Sequence, residues 1–477
     1  MNWLLDSSLT QGHHLEWGIL NGILLSSSAS ILRKALVDSE LGEDVLAYGF
    51  DCDALESSFC LGLKRSSATK KEAFESLVLK TLRDVVRDGI PKKLIRAAMT
   101  SMEFQLREAN YGSYPKGLIY SINSLTTWLY GDDACGHLYY EEYLADLKEK
   151  VASGPYFEQL IEKYLLNNSH RILMVCEADI DFMKKLAEAE QEELAKVQAG
   201  LSEDELKTIV RQKEDLLDAQ DAPDSPEALA TMPQLTREAL EDKPEDIPSE
   251  EVQFASLKGL YHEVPANGII YSQICFDASS LSADEQQDFA LMSELLMKVG
   301  TKNFTYDDWV QELACELGSL GASASYASHL DESLLRHFTL SAKLLPEQLP
   351  SLTRLLEEVL LNIDFADKVR FQDLIRIRLT QLRQSLQNNG SQTAQLEASA
   401  QWSALGFWRE QTSGRSFLAY LTEIQENFDQ RYEELCLSFQ KIKKKLFNES
   451  HALINLTCDQ KDVAGFRAEA EKWQNFL

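Results

Sequence analysis

The sequence predicts an α+β fold made of two homologous α/β sandwich domains that are joined by a charged helical hairpin. Three observations support this prediction: an internal repeat, strands followed by long amphipathic helices in each copy, and an acidic segment between the copies. The copies occupy residues 13–108 and 284–386. Self-similarity on this scale indicates a duplicated structural unit, so we expect two domains of the same architecture.

A strand lies at the same place in each copy. Residues 59–64 and 338–343 alternate apolar positions with small or polar ones, as half-buried strands do. In the first copy, residues 45–50 would form a hairpin with residues 57–63. Strands beside long helices favour sandwiches in which helices cover one face of a sheet.

A helix with apolar residues three or four positions apart follows each strand. The apolar positions are Phe74, Leu77, Val78, Leu82 and Val85 in the first copy, and Leu352, Leu355, Leu356 and Val359 in the second. A second long helix comes next in both copies. Gly89 and Pro91 separate the two helices in the first copy, because glycine ends helices and proline suits their first turn. Residues 364–367 separate them in the second.

The segment between the copies is predicted to begin as a helical hairpin. Residues 179–198 are rich in charged residues and alanine, and Gly200 interrupts them. Ser202 and Glu205 then have the spacing of a capping box, which predicts the start of a second helix.

The hairpin leads into an acidic linker. Residues 201–250 carry fifteen acidic and five basic residues, with prolines at positions 223, 226, 233, 244 and 248. From Pro223 onward we expect an extended chain, apart from one turn at Ser225-Pro226. The predicted domains are therefore residues 1–178 and 251–477, with the hairpin and linker at 179–250.

Composition excludes some classes of function. The chain has 477 residues, 44% of them hydrophobic, which is enough to bury a sizeable core in two or three domains. Its formal net charge of −29 would repel nucleic acid and favour basic peptides as partners. We predict a protein that binds no nucleic acid.

The cysteines and apolar segments bear on location. The eight cysteines have no C-x-x-C pair or framework spacing, so we expect reduced thiols. Residues 17–25 resemble the core of a signal peptide, but no basic residue precedes them and Glu16 interrupts their entry. We interpret them as a buried helix. Without a run of about 18 apolar residues, we predict no membrane association, and a cytoplasmic location or an organelle matrix in a eukaryote.

The inverted zincin motif H-x-x-E-H is only partly matched. In that motif two histidines one helical turn apart bind zinc and the glutamate activates a water molecule. The nearest segment here is His13-His14-Leu15-Glu16-Trp17. Because Trp17 stands where the second histidine should be, we predict that this segment binds no zinc.

Other residues that could carry chemistry are explained more simply as structure. The remaining histidines are scattered singly: His137, His170, His262, His329, His337 and His451. The serines at 26–28 lack the G-x-S-x-G elbow of a nucleophile, and we interpret them as a turn or cap. The small residues from Gly318 through Gly321 to Ser325 lack the G-K-[ST] of a phosphate loop, and we interpret them as a turn at a strand edge.

Paired carboxylates give no firmer signal. Pairs such as Glu141-Glu142 or Glu203 with Glu205 are common in a chain this acidic, so acid–base catalysis cannot be argued from them. The sequence therefore predicts no catalytic residue and no metal ligand in this chain. It leaves the substrate-binding residues unidentified.

Several local phrases, together with the paired domains and the hairpin, resemble the presequence-protease branch of the pitrilysin and insulinase family of inverted-zincin metallopeptidases. The phrases are residues 30–36 (Ser-Ile-Leu-Arg-Lys-Ala-Leu) with Leu41-Gly42, residues 114–118 (Tyr-Pro-Lys-Gly-Leu), residues 128–131 (Trp-Leu-Tyr-Gly), Gly300-Thr301-Lys302 with Tyr306, and Asn455-Leu456-Thr457. The resemblance covers essentially the whole chain. One departure is Gly131-Asp132-Asp133-Ala134, where the family tends to have Gly-Gly-Asp-Pro, which alters a turn.

The resemblance implies which part of such an enzyme this chain represents. Full-length relatives look like four homologous domains in two halves that close around a peptide-sized chamber. The chain would hold the second domain, the hairpin and the third domain. The first domain, which carries zinc, and the fourth, which supplies an arginine and a tyrosine to the substrate, would lie outside it. Zinc is therefore expected in the full-length enzyme, and no cofactor in this chain.

The resemblance also bears on the first sheet. The segment Trp3-Leu4-Leu5 resembles the first strand of a domain, so strands that precede it would be absent. We expect an open sheet edge there, which could drive self-association.

These expectations lead to one main functional hypothesis. The chain would be the non-catalytic central segment of a zinc metalloendopeptidase that degrades short unstructured peptides, with basic peptides favoured by its acidic charge, and would be inactive alone. Its partners would be those peptides and the missing terminal domains. The alternative is a non-catalytic binding or structural subunit that pairs with a zinc-bearing chain. An unrelated helical scaffold is a third hypothesis, against which the strand-containing repeats argue.

Overall fold

The computed structural model describes residues 1–10, 12–27, 30–233, 236–240, 246–331, 333–448 and 452–476, apart from the side chains of Ala47 and His137. The predictions for Ser28, His451 and Pro244 lie outside the described residues, as does any prediction for the His137 side chain. The chain divides into a main unit, residues 1–173 with 247–477, and a hairpin unit, residues 174–246. The predicted domain boundaries at 178 and 250 remain predictions.

The strands of the described chain form two sheets, both in the main unit. They are β1 (Asn2–Ser7), β2 (Asp44–Asp51), β3 (Glu56–Lys64), β4 (Arg171–Ile172), β5 (Glu250–Phe254), β6 (Leu257–Glu263), β7 (Ile270–Asp277), β8 (Ser319–Ser328), β9 (Leu334–Leu344) and β10 (Ala452–Cys458). The first sheet has the order β2-β3-β1-β4 and the second has the order β5-β6-β10-β7-β9-β8.

The helices are numbered in the order in which they occur along the chain. They are α1 (His13–Asn21), α2 (Ile31–Asp38), α3 (Lys71–Asp88), α4 (Lys92–Glu108), α5 (Lys116–Trp128), α6 (Glu141–Ser153), α7 (Tyr156–Ile161), α8 (Phe182–Gly200), α9 (Glu203–Asp221), α10 (Pro226–Ala230), α11 (Gln286–Leu295), α12 (Tyr306–Glu316), α13 (Leu349–Glu357), α14 (Lys368–Asn388), α15 (Gly390–Ser399), α16 (Ala404–Ser413), α17 (Arg415–Glu426), α18 (Phe428–Leu446) and α19 (Val463–Ala470). Segments of π-helix extend α1, α7 and α13 at Gly22–Ser26, Glu162–Leu166 and Glu358–Asn362.

The two sheets are built on the same register, which confirms the predicted α+β repeat. In the first sheet Trp3 of β1 pairs with Phe59 of β3, and in the second Phe276 of β7 pairs with Phe338 of β9. All four side chains are fully buried. Because side chains alternate between the faces of a strand, this register places the apolar positions of both sheets on a buried face.

The predicted strands and helices fall where the sequence pattern placed them. The hairpin of residues 45–50 with 57–63 is the antiparallel pair β2–β3. The predicted amphipathic helices are α3 and α13 with its π-helical extension, and they bury Val78, Leu82, Leu352 and Val359. Gly89, in the left-handed region with φ 83°, follows α3, as the glycine signal predicted.

One interpretation was wrong. The small-residue stretch from Gly318 to Ser325 is not a turn, because residues 319–328 form β8, an edge strand that pairs antiparallel with β9 along its length. Small residues suit this place, since the strand has one neighbour and few bulky side chains to pack. Because β8 has few large apolar residues, the two-residue alternation of a strand was not visible in its sequence.

The apolar segment near residue 20 is buried, as predicted. Trp17, Leu20 and Leu24 are fully buried in the core of the first half of the main unit, residues 1–173. The stretch His13–Asp38 is long and apolar enough to cross a membrane by length and composition, yet 56% of its most apolar window is buried inside the protein. Core helices of soluble proteins meet the same test, so this stretch is weak evidence for a span.

The hairpin unit contains two charged helices, and the described residues after them include the short helix α10 and a 3-10 helix at Arg237–Ala239. Ser202 caps α9: its side chain accepts from the backbone N–H of Glu205, whose carboxylate accepts from the Ser202 backbone N–H at 2.8 Å. This is the predicted capping box. Ser225 begins the short helix α10, as the Ser225-Pro226 signal predicted. Almost all described residues of this unit are exposed.

We predict that a glutamate-specific protease first cuts this protein in the hairpin unit, at Glu227 or Glu238. Both residues are exposed and follow the long helices, and exposed segments with few contacts are cut first. The two fragments should elute together in native size-exclusion chromatography, because residues 1–173 and 247–477 form one compact unit. Denaturing gels identify the cut, and urea should separate the fragments. Fragments that separate without denaturant would contradict this description of the main unit.

Candidate functional site

The partial zincin motif forms the start of α1, and its tryptophan is the centre of an aromatic cluster. Trp17 is fully buried. Its ring stacks on Phe50 at a centroid distance of 5.9 Å and a plane angle of 14°, and it lies 5.8 Å from the rings of both Phe59 and Tyr164. Buried aromatic rings contribute strongly to core energetics. The motif position that would carry a ligand is therefore a core position here.

His13, the first histidine of the motif, is also buried in the core. His13 is 3% exposed, its Nε2 lies 3.2 Å from the hydroxyl of Ser57, and its ring meets the rings of Trp17 and Phe50 edge-on. Burial lowers the pKa of His13 below its usual value. The neutral form of the His13 imidazole is therefore favoured. The ring is nevertheless buried among aromatic side chains and Ser57, which leaves little room for a metal ion.

The glutamate of the motif is engaged as well. Glu16 accepts a hydrogen bond from the hydroxyl of Tyr156, and the ammonium of Lys150 lies 3.6 Å from its carboxylate. Burial, with help from Glu16, raises the pKa of Tyr156. Glu16 thus fastens α1 to α6 and α7 rather than facing an open space where a water molecule could be activated.

These contacts do not fit a zinc ion. A zinc site needs several nitrogen, oxygen or sulfur ligands that converge on one point, whereas Trp17 offers an apolar ring and His13 points at a hydroxyl. Among the described residues, no group of three or more His, Cys, Asp and Glu side chains is arranged to hold a metal ion. The prediction that this chain contains no catalytic or metal-binding residue remains a prediction.

The other described histidines lie apart from this helix. His262 has its Nδ1 3.0 Å from the hydroxyl of Ser249 and 2.9 Å from the carbonyl of Pro248, and His329 lies 3.3 Å from Asp331. His170 is exposed beside β4, and His337 lies in β9. The structure brings none of these four to the motif helix.

A second candidate is the junction between the first half and the second half of the main unit, where α4 meets α12. Cations on α4 face carboxylates on α12: Lys93 lies 3.3 Å from Glu312, and Arg96 lies 3.2 Å from Glu316. The thiol of Cys315 donates to the carbonyl of Lys93 at 3.0 Å. Both carboxylates are mostly buried, whereas Lys93 and Arg96 are more than half exposed, so solvent still screens these pairs in part.

The far end of α4 reverses the charges. Glu108 there binds Lys343 of β9 at 2.6 Å and accepts from the hydroxyl of Tyr271 at 3.4 Å. Asn267 donates to the carbonyl of Arg107 at 2.9 Å. The alternation of charge along α4 allows one orientation against the second half, because sliding or reversing the helix would bring like charges together.

An apolar contact lies between the two charged ends of the junction. Phe104 of α4 is buried against Ile269 and Leu345 of the second half. Its ring lies so close to the backbone of Gly318 that a Cβ added there would be 2.6 to 2.7 Å from three ring atoms. Gly318 therefore allows a closer approach than any other residue could.

A cavity of about 780 Å³ lies beside this junction. Its walls come from α4, the α6–α7 region and the start of α13. Two buried carboxylates border it, and both make structural contacts. Glu158 accepts from the Ile90 N–H at 2.7 Å, while Glu103 binds Lys148 at 2.6 Å and Arg107 at 2.7 Å. Burial alone would raise the pKa of Glu103, but the hydrogen bonds from these cations lower it below its usual value.

A second cleft, of about 820 Å³, lies in the second half between residues 360–366 and α18. Burial, together with the charge of Lys302, lowers the pKa of Lys443 to about 8. The ammonium of Lys443 lies 6.0 Å from the centre of the Phe447 ring. Lys443 lies among the lysines of residues 441–445, and no sequence pattern distinguishes it from them. The sequence analysis therefore did not identify it.

Two family models match the chain. The one described as associated with subfamily C of peptidase family M16 matches residues 177–424, which is more than half of the chain. The one described as peptidase M16 inactive domain matches residues 1–102. The second match contains the motif helix and, of the aromatic cluster, Trp17, Phe50 and Phe59.

Curated relatives agree with these matches. Presequence protease 1, chloroplastic/mitochondrial, from Arabidopsis thaliana is 29% identical over 483 residues, which cover 100% of this chain and 45% of the relative. Protein HypA from Clostridium perfringens is 28% identical over 473 residues, covering 99% and 48%. The mitochondrial presequence protease of Danio rerio is 22% identical over 480 residues, covering 99% and 46%. The chain spans about half the length of the curated relatives it matches.

We predict that Trp17→His, which completes the H-x-x-E-H pattern, creates no zinc site. The replacement removes the centre of the aromatic cluster, and emptying such a core position costs about 3–5 kcal/mol of unfolding free energy. Zinc content by mass spectrometry and urea unfolding measure the two effects. Trp128→His is the matched control, because Trp128 is exposed in α5 and should change stability little. Stoichiometric zinc in the Trp17→His protein would contradict our description of α1.

We predict that Gly318→Ala weakens the junction by about 1–3 kcal/mol, the usual cost of overpacking a core. The matched control is Gly321→Ala in β8, the strand that begins one residue after Gly318, because an added Cβ at Gly321 meets nothing within 4 Å. Urea unfolding of both variants gives the comparison. Adding Phe104→Leu to Gly318→Ala should restore part of the loss, since the smaller side chain makes room. Equal stability of the two alanine variants would contradict the close contact.

Proposed function

Because this chain belongs to the family associated with subfamily C of the M16 peptidases, we propose that it is the non-catalytic central segment of a presequence protease-like zinc metalloendopeptidase. The parent enzyme would degrade short unstructured peptides in an enclosed chamber, and this chain would form part of the chamber wall. The observation that carries the non-catalytic role is Trp17, a core residue at the motif position where a zinc ligand would be needed.

The packing of the main unit supports a role as a wall. A chamber that selects peptides by size needs walls that keep their shape. The junction of α4 with α12 combines ion pairs whose carboxylates are mostly buried with the contact of Phe104 and Gly318. Such a junction resists sliding, because interiors are close-packed and ion pairs of alternating sign have one good register.

The charge of the chain supports basic peptides as substrates. A net charge of −29 creates a negative field that attracts basic peptides and weakens with salt. The peptide would be short and unstructured, since a folded protein would not enter a closed chamber. The partners would be such peptides and the zinc-bearing domains outside this chain.

The location of the protein follows the same proposal. Two of the relatives are named as organelle proteins, chloroplastic/mitochondrial in Arabidopsis thaliana and mitochondrial in Danio rerio. We propose an organelle matrix if the source is eukaryotic and the cytoplasm otherwise.

We predict that the purified chain is metal-free and does not cleave a basic unstructured peptide alone. Cleavage should appear when the parts of the Clostridium perfringens relative that lie outside its match to this chain are added in their zinc-loaded form. Zinc analysis and a fluorogenic peptide assay measure the outcome. The control is the same mixture after the zinc has been removed with a chelator. Peptide binding should also weaken as salt rises from about 50 to about 500 mM.

Each outcome separates the hypotheses. Stoichiometric zinc with unaided cleavage would show that Trp17 has been misinterpreted and that the chain carries its own active site. Peptide binding without cleavage in the mixture would favour a binding or structural subunit over a chamber wall. Binding that does not depend on salt would contradict the role of charge in selecting basic peptides.

A further inference from the structure

The lysines near the end of α18 lie in two different environments. Lys441 and Lys445 both bind the carboxylate of Glu285, at nitrogen–oxygen distances of 3.0 Å and 2.8 Å. Lys443, which lies between them in the sequence, instead lines the cleft of about 820 Å³ between residues 360–366 and α18. Two lysines of the run are therefore paired with a carboxylate, whereas Lys443 borders a cleft.

Lys443 is partly buried without an anionic partner. Its ammonium lies 6.0 Å from the centre of the Phe447 ring, and no carboxylate of the described residues lies within ion-pair distance of it. Lys302 and Lys444 line the same cleft, are exposed, and also lack such a partner among these residues. Burial, together with repulsion from Lys302, lowers the pKa of Lys443. A partly buried cation that faces another cation is unfavourable by itself, and an anion bound in the cleft would relieve both effects.

Much of the remaining lining of this cleft is apolar. Ile363 and Phe365 line it and are buried, while Leu361 and Leu437, which also line it, are 48% and 67% exposed. Clefts of about 300–1,000 Å³ with apolar walls and a few charged or polar groups are typical of small-molecule sites. An apolar ligand in this cleft would remove the two exposed leucines from water, which favours binding.

The cleft carries opposite charges at its two ends. Lys443 follows Glu433 by ten residues in α18, which is about 15 Å along the helix axis. Burial, with help from Asp364 and Glu433, raises the pKa of Cys436, whereas Lys302 is the charge that acts on Lys443. The basic end would attract an anionic group, and the acidic end would repel a second one.

We propose that this cleft binds a small amphipathic monocarboxylate, that is, a carboxylate joined to an apolar chain. The carboxylate pairs with Lys443 and Lys302, and the chain lies along α18 towards Leu437. The ligand carries a single charge, because a second anionic group would lie either against the apolar walls or near Asp364 and Glu433. This inference rests on the cleft alone and is independent of the peptidase function.

The first test compares small probes by isothermal titration calorimetry with the chain as it is. The probes are decanoate, 1-decanol, acetate and decanedioate, each used below the concentration at which decanoate forms micelles. Decanoate should bind with a stoichiometry of one and about tenfold more tightly than each of the others, because charge-assisted hydrogen bonds add to the burial of its chain. Decanol lacks the charge, acetate lacks the apolar chain, and decanedioate has a second charge.

The second test locates the site with matched variants. Lys443→Met keeps an apolar side chain of similar length, removes the charge, and should weaken decanoate binding about tenfold. Lys302→Met should weaken it about threefold, since Lys302 is exposed. The matched control is Lys441→Met, which removes the same charge from the lysine that binds Glu285 and should leave the Kd of decanoate unchanged. Melting curves show which variants fold, and if Lys443→Met does not, the comparison of Lys302→Met with Lys441→Met decides.

Three results would overturn the proposal. The first is the absence of decanoate binding below its micellar concentration. The second is equal affinity for decanoate and decanol, which would show that the lysines of the cleft do not recognise the carboxylate. The third is equal weakening by the cleft variants and Lys441→Met, which would show that decanoate responds to the total charge of the chain and binds outside this cleft.

Discussion

The burial of Trp17 is the interaction on which the rest of the structure depends. It turns a helix that begins like a zinc motif into a core element of the first half, held by stacking on Phe50. The same helix packs on α4 with little space to spare, since a Cβ at Gly18 would lie 2.6 Å from the end of the Met102 side chain and one at Gly22 would lie 3.3 Å from Ala98. The aromatic cluster therefore fixes α1, α1 supports α4, and α4 forms the junction with the second half.

This chain of contacts links the duplicated fold to its proposed use. Two halves with the same register could meet in many ways, but the alternating charges on α4 and the close contact of Phe104 with Gly318 select one. In the resulting main unit, the side chains of the motif helix α1 make core contacts. A segment of this kind suits the wall of a peptidase chamber, where shape and charge matter and catalytic groups come from elsewhere.

The sequence predicted the local features well and the long-range ones poorly. Apolar periodicity identified β3, β9, α3 and α13, and the spacing of Ser202 and Glu205 identified a cap, because these signals lie within a few residues of each other. Ion pairs such as Arg96 with Glu316 join positions far apart in the chain, and no local pattern selects such partners. The small residues of β8 concealed a strand. The open edge was expected near Trp3, but β1 is an interior strand, and the edge belongs to β4, which is too short to leave a pattern.

Hydrogen exchange of α1 with and without zinc tests the central claim most directly. If Trp17 makes this helix a core element, the amides of residues 17–21 should exchange only through global unfolding, with the largest protection in the first half. Added zinc should leave their rates unchanged. Exchange through a local opening, slowed by zinc in proportion to its concentration, would contradict the account, because it would reveal a metal site that the packing of Trp17 is claimed to exclude.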